Sequence, residues 1–117
     1  MITGMKNIVV FVADLARAKR FYVEQMKLPL AQESTSMMEL TPPGGTALGV
    51  AMAITDDARK FVGRHTGVTF SVQGIEQFCH DLTAAGVVFA EPLEVSPWGK
   101  MAVVKDPDGN QFALVEV

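Results

Sequence analysis

The stretch Asn7 to Asp14, NIVVFVAD, is apolar at almost every position. In an extended chain Ile8, Val10 and Val12 fall on one face, and Val9 and Phe11 on the other. A strand with one solvated face would alternate apolar and polar residues, so both faces of this strand are expected to be covered, one of them by a helix. The period then changes. Leu15, Ala18, Tyr22 and Met26 recur at helical spacing, with Phe21 beside them and Arg17, Lys19 and Arg20 towards solvent. Asp14 stands where the helix needs a cap, and Pro29 helps to end it. Three shorter apolar runs follow, Leu30 to Glu33, Met37 to Leu40 and Ala47 to Ile54. The TPPGG of Thr41–Gly45 makes the turn between the last two.

The same order begins again at Gly67, 60 residues beyond Asn7. GVTFSV predicts a strand, and Ile75 to Ala85 a helix with Ile75, Phe78, Cys79 and Leu82 on one side and Gly86 as its stop. Three strands are then expected at Val87 to Ala90, Lys100 to Lys105 and Gln111 to Val117. The 60-residue offset pairs Ile8 with Val68, Val10 with Phe70, Val12 with Val72, Leu15 with Ile75 and Tyr22 with Leu82. Shared element order together with shared periodicity predicts an internal repeat. The organisation is one α+β domain, 1–117, built from a first module of about 1–54, a polar linker at 55–65 and a second module of about 66–117. Each module is a small sheet with a helix on one face. The opposite faces carry Val9, Phe11, Thr69 and Ala113, and two such faces turned together form a cup suited to a small molecule.

Composition narrows the function. A chain of 117 residues with 49% hydrophobic content can build one core, and its formal charge of -3 comes without any block of Lys or Arg. A nucleic-acid partner is therefore not expected. Cys79 is the single cysteine, so an internal disulfide is excluded. MITGMKN lacks the apolar core of a signal peptide, and ALGVAMAI is too short to span a bilayer. The expectation is a soluble cytoplasmic protein with no membrane partner. No Gly-rich phosphate loop, Ser/His/Asp arrangement or CxxC motif occurs.

Three motifs carry a resemblance. VADLARAKRFY at Val12–Tyr22, PWGK at Pro97–Lys100 and KDPDGNQFALVE at Lys105–Glu116 resemble the vicinal oxygen chelate superfamily of glyoxalase I, extradiol dioxygenases and bleomycin-resistance proteins. The resemblance implies two tandem βαβββ modules whose strands curl into a half-open barrel. In short members it also implies a homodimer. In metal-using members a His opens the first strand of each module and a carboxylate lies on the last strand of each. The corresponding positions here hold Asn7, Gly67 and Ala113, and the fourth falls near Gly49 in a stretch without a carboxylate. A divalent ion needs nitrogen and oxygen donors with open positions for substrate. With these positions vacant, the expectation is no metal and no other cofactor, as in the bleomycin-resistance branch, which binds its drug without one.

The candidate ligand contacts are Asn7, Val9, Phe11, Gly67 and Thr69, with Met101, Gln111 and Ala113 from the closing strands. Trp98 either stacks on a flat ligand at the rim or caps the core. His65 reaches the cup mouth as a relocated ligand or base, or is a solvated linker residue. Of Met37, Met38, Met52 and Met101, alternation sends about half to the cup. Cys79 reads as a small buried hydrophobe and His80 as exposed. Glu39 and Glu116 are the strand-borne carboxylates that can face a cavity, with surface exposure the simpler reading of both. Asp106 and Asp108 read as turn formers. The function these residues favour is metal-independent binding of an apolar or aromatic small molecule, with no catalytic residue assigned. The alternative is a glyoxalase-like lyase or dioxygenase-like enzyme with a relocated metal around His65 and Glu116. A structural module with a collapsed cup is the third reading.

Overall fold

A computed structural model describes all 117 residues, Met1–Val117, as two units, 1–62 and 63–117. The first contains β1 (Asn7–Val12), α1 (Leu15–Lys19), β2 (Leu30–Glu33), β3 (Met37–Leu40), β4 (Ala47–Met52) and a short α2 (Asp56–Arg59). The second contains β5 (His65–Ser71), α3 (Ile75–Ala84), β6 (Val88–Ser96), β7 (Gly99–Lys105) and β8 (Gln111–Glu116). The sheet orders are β1-β4-β3-β2 and β5-β8-β7-β6. In each unit the first strand pairs parallel with the last, and the remaining pairs are antiparallel. The repeat is therefore a repeat of topology, βαβββ twice over.

In the first unit Asp14 caps α1 by accepting a hydrogen bond from the Arg17 amide at 3.1 Å. The helix then widens into a π-helical turn over Arg20–Gln25, closed by the Met26 amide on the Phe21 carbonyl at 2.8 Å. Within this turn Phe21 and Tyr22 are both buried, with their rings edge to face at 4.8 Å. They pack with Ala18 and Met26 in the core that also buries Val10, Val12, Leu40, Leu48 and Val50. Each large apolar side chain so buried contributes about 1.5–3 kcal/mol before conformational entropy is counted. Lys27, at φ 63°, ends the helix.

In the second unit Phe112 and Leu114 of β8 lie opposite Val104 and Ala102 of β7 on the face that also buries Ile75, Cys79 and Leu82 of α3. Three strands differ from expectation by two residues or more, and the first of them, β4, stops at Met52 rather than Ile54. The strand expected to end at Ala90 runs on to Ser96, through Pro92. β6 pairs only with β7, so a residue without an N–H is tolerated, and register irregularities occur on either side of Pro92. β5 begins at His65, two residues earlier than expected, and carries an irregularity between His65 and Thr69. Gly67 sits inside it at φ 74°, a conformation that favours glycine.

The DPDGN turn is held from within. Asp106 Oδ1 accepts from the amides of Asp108 and Asn110, and its Oδ2 from Asn110 Nδ2 at 2.9 Å. Asn110 Oδ1 in turn accepts from the amides of Gly63 and Arg64. The turn former Asp106 thus also ties the end of the chain to the start of its unit.

Candidate ligand-binding site

Strand register places the side chains that face away from the helices. In the second unit one row across the sheet is Thr69, Ala113, Val103 and Glu91, and the next is Val115, Met101 and Glu94, with Ser71 beside Val115. A further row holds His65, Gln111 and Lys105. Thr69, Met101, Gln111, Ala113 and His65 therefore share one face. His65 has the parity of Thr69, and the β5 irregularity changes only its partner, which is Gln111. In the first unit the matching rows are Val9, Gly49, Glu39 and Gln32, then Phe11, Ala51 and Met37.

The second face holds a cleft of about 270 Å³ lined by Glu94, Ser96, Trp98, Gly99, Lys100, Met101, Val115 and Val117. Trp98 is in the two-residue turn between β6 and β7 and is 84% exposed, while Met101 is 44% exposed. Trp98 therefore does not cap the core. The turn is set by Ser96, whose Oγ accepts from the Trp98 amide at 3.2 Å and donates to the Gly99 carbonyl at 3.0 Å. Gly99 has no substitute here, because a Cβ would stand 2.7 Å from the Glu116 carbonyl oxygen.

The first face is more closed. A Cβ on Gly49 would meet Met37 Cε at 2.9 Å, Val9 Cγ2 at 3.2 Å and Asn7 Nδ2 at 3.6 Å. These three side chains occupy the space that a larger residue at 49 would use. Phe61, from the segment after α2, lies on Phe11 with ring centroids 6.4 Å apart. A cleft of about 230 Å³ remains at the edge, lined by Lys6, Asn7, Gln32, Glu33, Ser34, Met37 and Glu39. Glu39 is thus half-buried beside a cavity rather than surface-exposed.

Glu116 has a different task from either one expected of it. It lies on the helix side of its strand, and its two carboxylate oxygens accept from the amides of Gly74 and Ile75 at 2.9 and 3.0 Å. These bonds, that to Ile75 first, hold its pKa below the ordinary carboxylate value. They cap α3, whose own N-cap, Gly74, has no side chain to offer. That missing cap was the signal in the sequence. Nearby, Lys100 Nζ bonds Glu76 Oε2 at 2.6 Å, a pairing that lowers the Glu76 pKa and raises that of Lys100. Burial, then the nearby Glu76 charge, raises the Cys79 thiol, which suits its reading as a small hydrophobe. His80 is exposed.

The sequence pattern of the Glyoxalase/Bleomycin resistance protein/Dioxygenase superfamily matches residues 4–114. The chain belongs to this superfamily. A superfamily member from Sphaerobacter thermophilus is 30% identical, with a TM-score of 0.82 over 100% of this chain and 99% of that one. TnmS3, an antibiotic binding protein from a Streptomyces species, is 27% identical, with a TM-score of 0.79 over 98% and 96%. YetH of Bacillus subtilis is 27% identical over 99% of this chain and all of its own length.

Register relates the strand positions of one unit to those of the other. Gly49 pairs with Val9 as Ala113 pairs with Thr69, so the two are counterparts on the last strands. Asn7 pairs with Ala47, two residues before Gly49, and His65 pairs with Gln111, two residues before Ala113. The counterpart of Asn7 is thus His65 and not Gly67, which corrects the position expected from spacing. The irregularity in β5 shifted it, and periodicity alone does not show a bulge. His65 Nδ1 accepts from the Gly67 amide at 3.1 Å. No group of three or more His, Cys, Asp or Glu residues comes together to hold an ion. His65 and Glu116 lie on opposite faces, so they do not form the relocated site. An amide, an imidazole, a glycine and an alanine do not fit a divalent ion.

No helix is long and apolar enough to cross a membrane.

Proposed function

We propose that this chain is a metal-independent small-molecule binding protein. It holds an apolar or aromatic ligand on the open face of the second unit, and it works as a cytoplasmic homodimer with no nucleic-acid or membrane partner. The observation that carries the reading is the cleft of Trp98, Met101 and Val115, with an exposed indole over an apolar floor. Apolar walls with few polar groups are what small-molecule sites present, and a methionine wall adapts to varied shapes. The similarity to TnmS3, an antibiotic binding protein, supports the same class of ligand. The donor set supports metal independence, because Gly49 and Ala113 supply no ligand where the superfamily's metal users carry carboxylates.

Metal analysis on protein purified without chelators tests the second half of the proposal. The expected result is a substoichiometric content of divalent ions, unchanged in Ala113→Glu. One ion per chain overturns it. A thermal-shift screen of flat aromatic natural products tests the first half, with stabilisation by at least one compound class expected. Light scattering tests the dimer.

A further inference from the structure

We infer that the second-unit cleft takes an organic cation with a flat apolar body. The inference rests on the small-molecule reading above and narrows it by counting the charges that the cleft leaves unmatched.

Two charged side chains line the cleft, Glu94 and Lys100. Lys100 is committed to Glu76, with Nζ to Oε2 at 2.6 Å, so its charge is already matched. The Glu94 carboxylate has no ion-pair or hydrogen-bond partner. The Ser96 hydroxyl is used on both sides, by the Trp98 amide and the Gly99 carbonyl. The one uncommitted polar side chain is therefore a carboxylate. It stands in the row of Met101 and Val115, in the cleft that Trp98 walls.

Such a group beside an indole suits a positive ligand twice over. The indole face attracts a cation through its quadrupole, and the carboxylate supplies a charge-assisted bond. Met101 and Val115 suit the flat body of such a ligand. An anion would meet Glu94 with no free counter-charge. The other charges on this face do not reverse the balance. Glu91 adds a second negative group in the neighbouring row, and Lys105 lies a row further on, opposite Gln111.

Three compounds with one ring system separate charge from shape: N-methylacridinium, neutral acridine and acridinecarboxylate, at low salt and mildly alkaline pH. Trp98 is the only tryptophan, so quenching of its emission reports this cleft, and titration calorimetry gives the affinities. N-methylacridinium is expected to bind about tenfold more tightly than acridine, with the carboxylate weakest. Added salt narrows the difference. Glu94→Gln reduces the preference for the cation to the smaller part that the Trp98 ring supplies. Asp57→Asn, which neutralises an exposed acid in the first unit, keeps it. Acridine binding as tightly as the cation, or a preference undiminished in Glu94→Gln, overturns the inference while leaving the binding site in place. Failure of all three to bind overturns the site itself, and the inference with it.

Discussion

In the first unit Met37, Val9 and Asn7 close over Gly49, and Phe61 lies on Phe11. In the second unit Trp98 and Met101 stand exposed beside Val115. The topology is the same, so the strand plan alone does not make a binding face. Side-chain size and what the following segment supplies decide it. The helices differ in the same spirit. Asp14 caps α1 from the adjoining residue, whereas Glu116 caps α3 from the far end of the unit. A local cap is encoded in one short stretch. A remote cap makes the helix start depend on the last strand being in register.

The largest effect on this comparison is expected from Gly49→Ala. The new methyl displaces Met37 and Val9, and overpacking of this kind costs about 1–3 kcal/mol. The end of Met37 is flexible, which favours the lower part of that range. Urea unfolding measures it. An unchanged midpoint would show that the first face has more room than its contacts indicate.

Glu116→Gln is expected to lower the thermal midpoint at neutral pH, because a neutral amide replaces the charged cap of α3. The sign of its pH dependence follows from the lowered pKa of Glu116. A depressed carboxylate stabilises the fold above its unfolded pKa, and that contribution is lost as pH falls through the folded value. The gap between wild type and variant should therefore be full at neutral pH and shrink below about pH 4. A gap that is constant with pH would remove the charge from the explanation.

Trp98→Ala should leave stability within about 0.5 kcal/mol, since the ring is exposed and outside both cores. It should nonetheless abolish tight ligand binding by the second face. Thermal melts with and without ligand read both. A strong loss of stability would make Trp98 structural and reverse its assignment.

Much of the fold was legible in the sequence because periodicity reports which residues face a core. The unbroken apolar run of Ile8 to Val12 marks a strand, and the helical stripe of Leu15 to Met26 points to the buried side. Even so, the stripe did not show that the helix widens into a π-helical turn over Arg20–Gln25. Glu94 was missed because the strand was expected to end at Ala90, before Pro92. Only the edge position of β6 makes the proline harmless, and edge position is a property of the sheet.

By itself the sequence determined the repeat, the βαβββ order and the absence of carboxylates at positions 49 and 113. These are matters of residue identity and local period, which do not depend on what lies across the fold. The tertiary structure decided that His65, and not Gly67, is the counterpart of Asn7. It also assigned Glu116 to a helix cap and exposed Trp98 beside an unpaired Glu94. Each of these depends on register between strands or on contacts between residues far apart in the chain, and local periodicity carries no information about either.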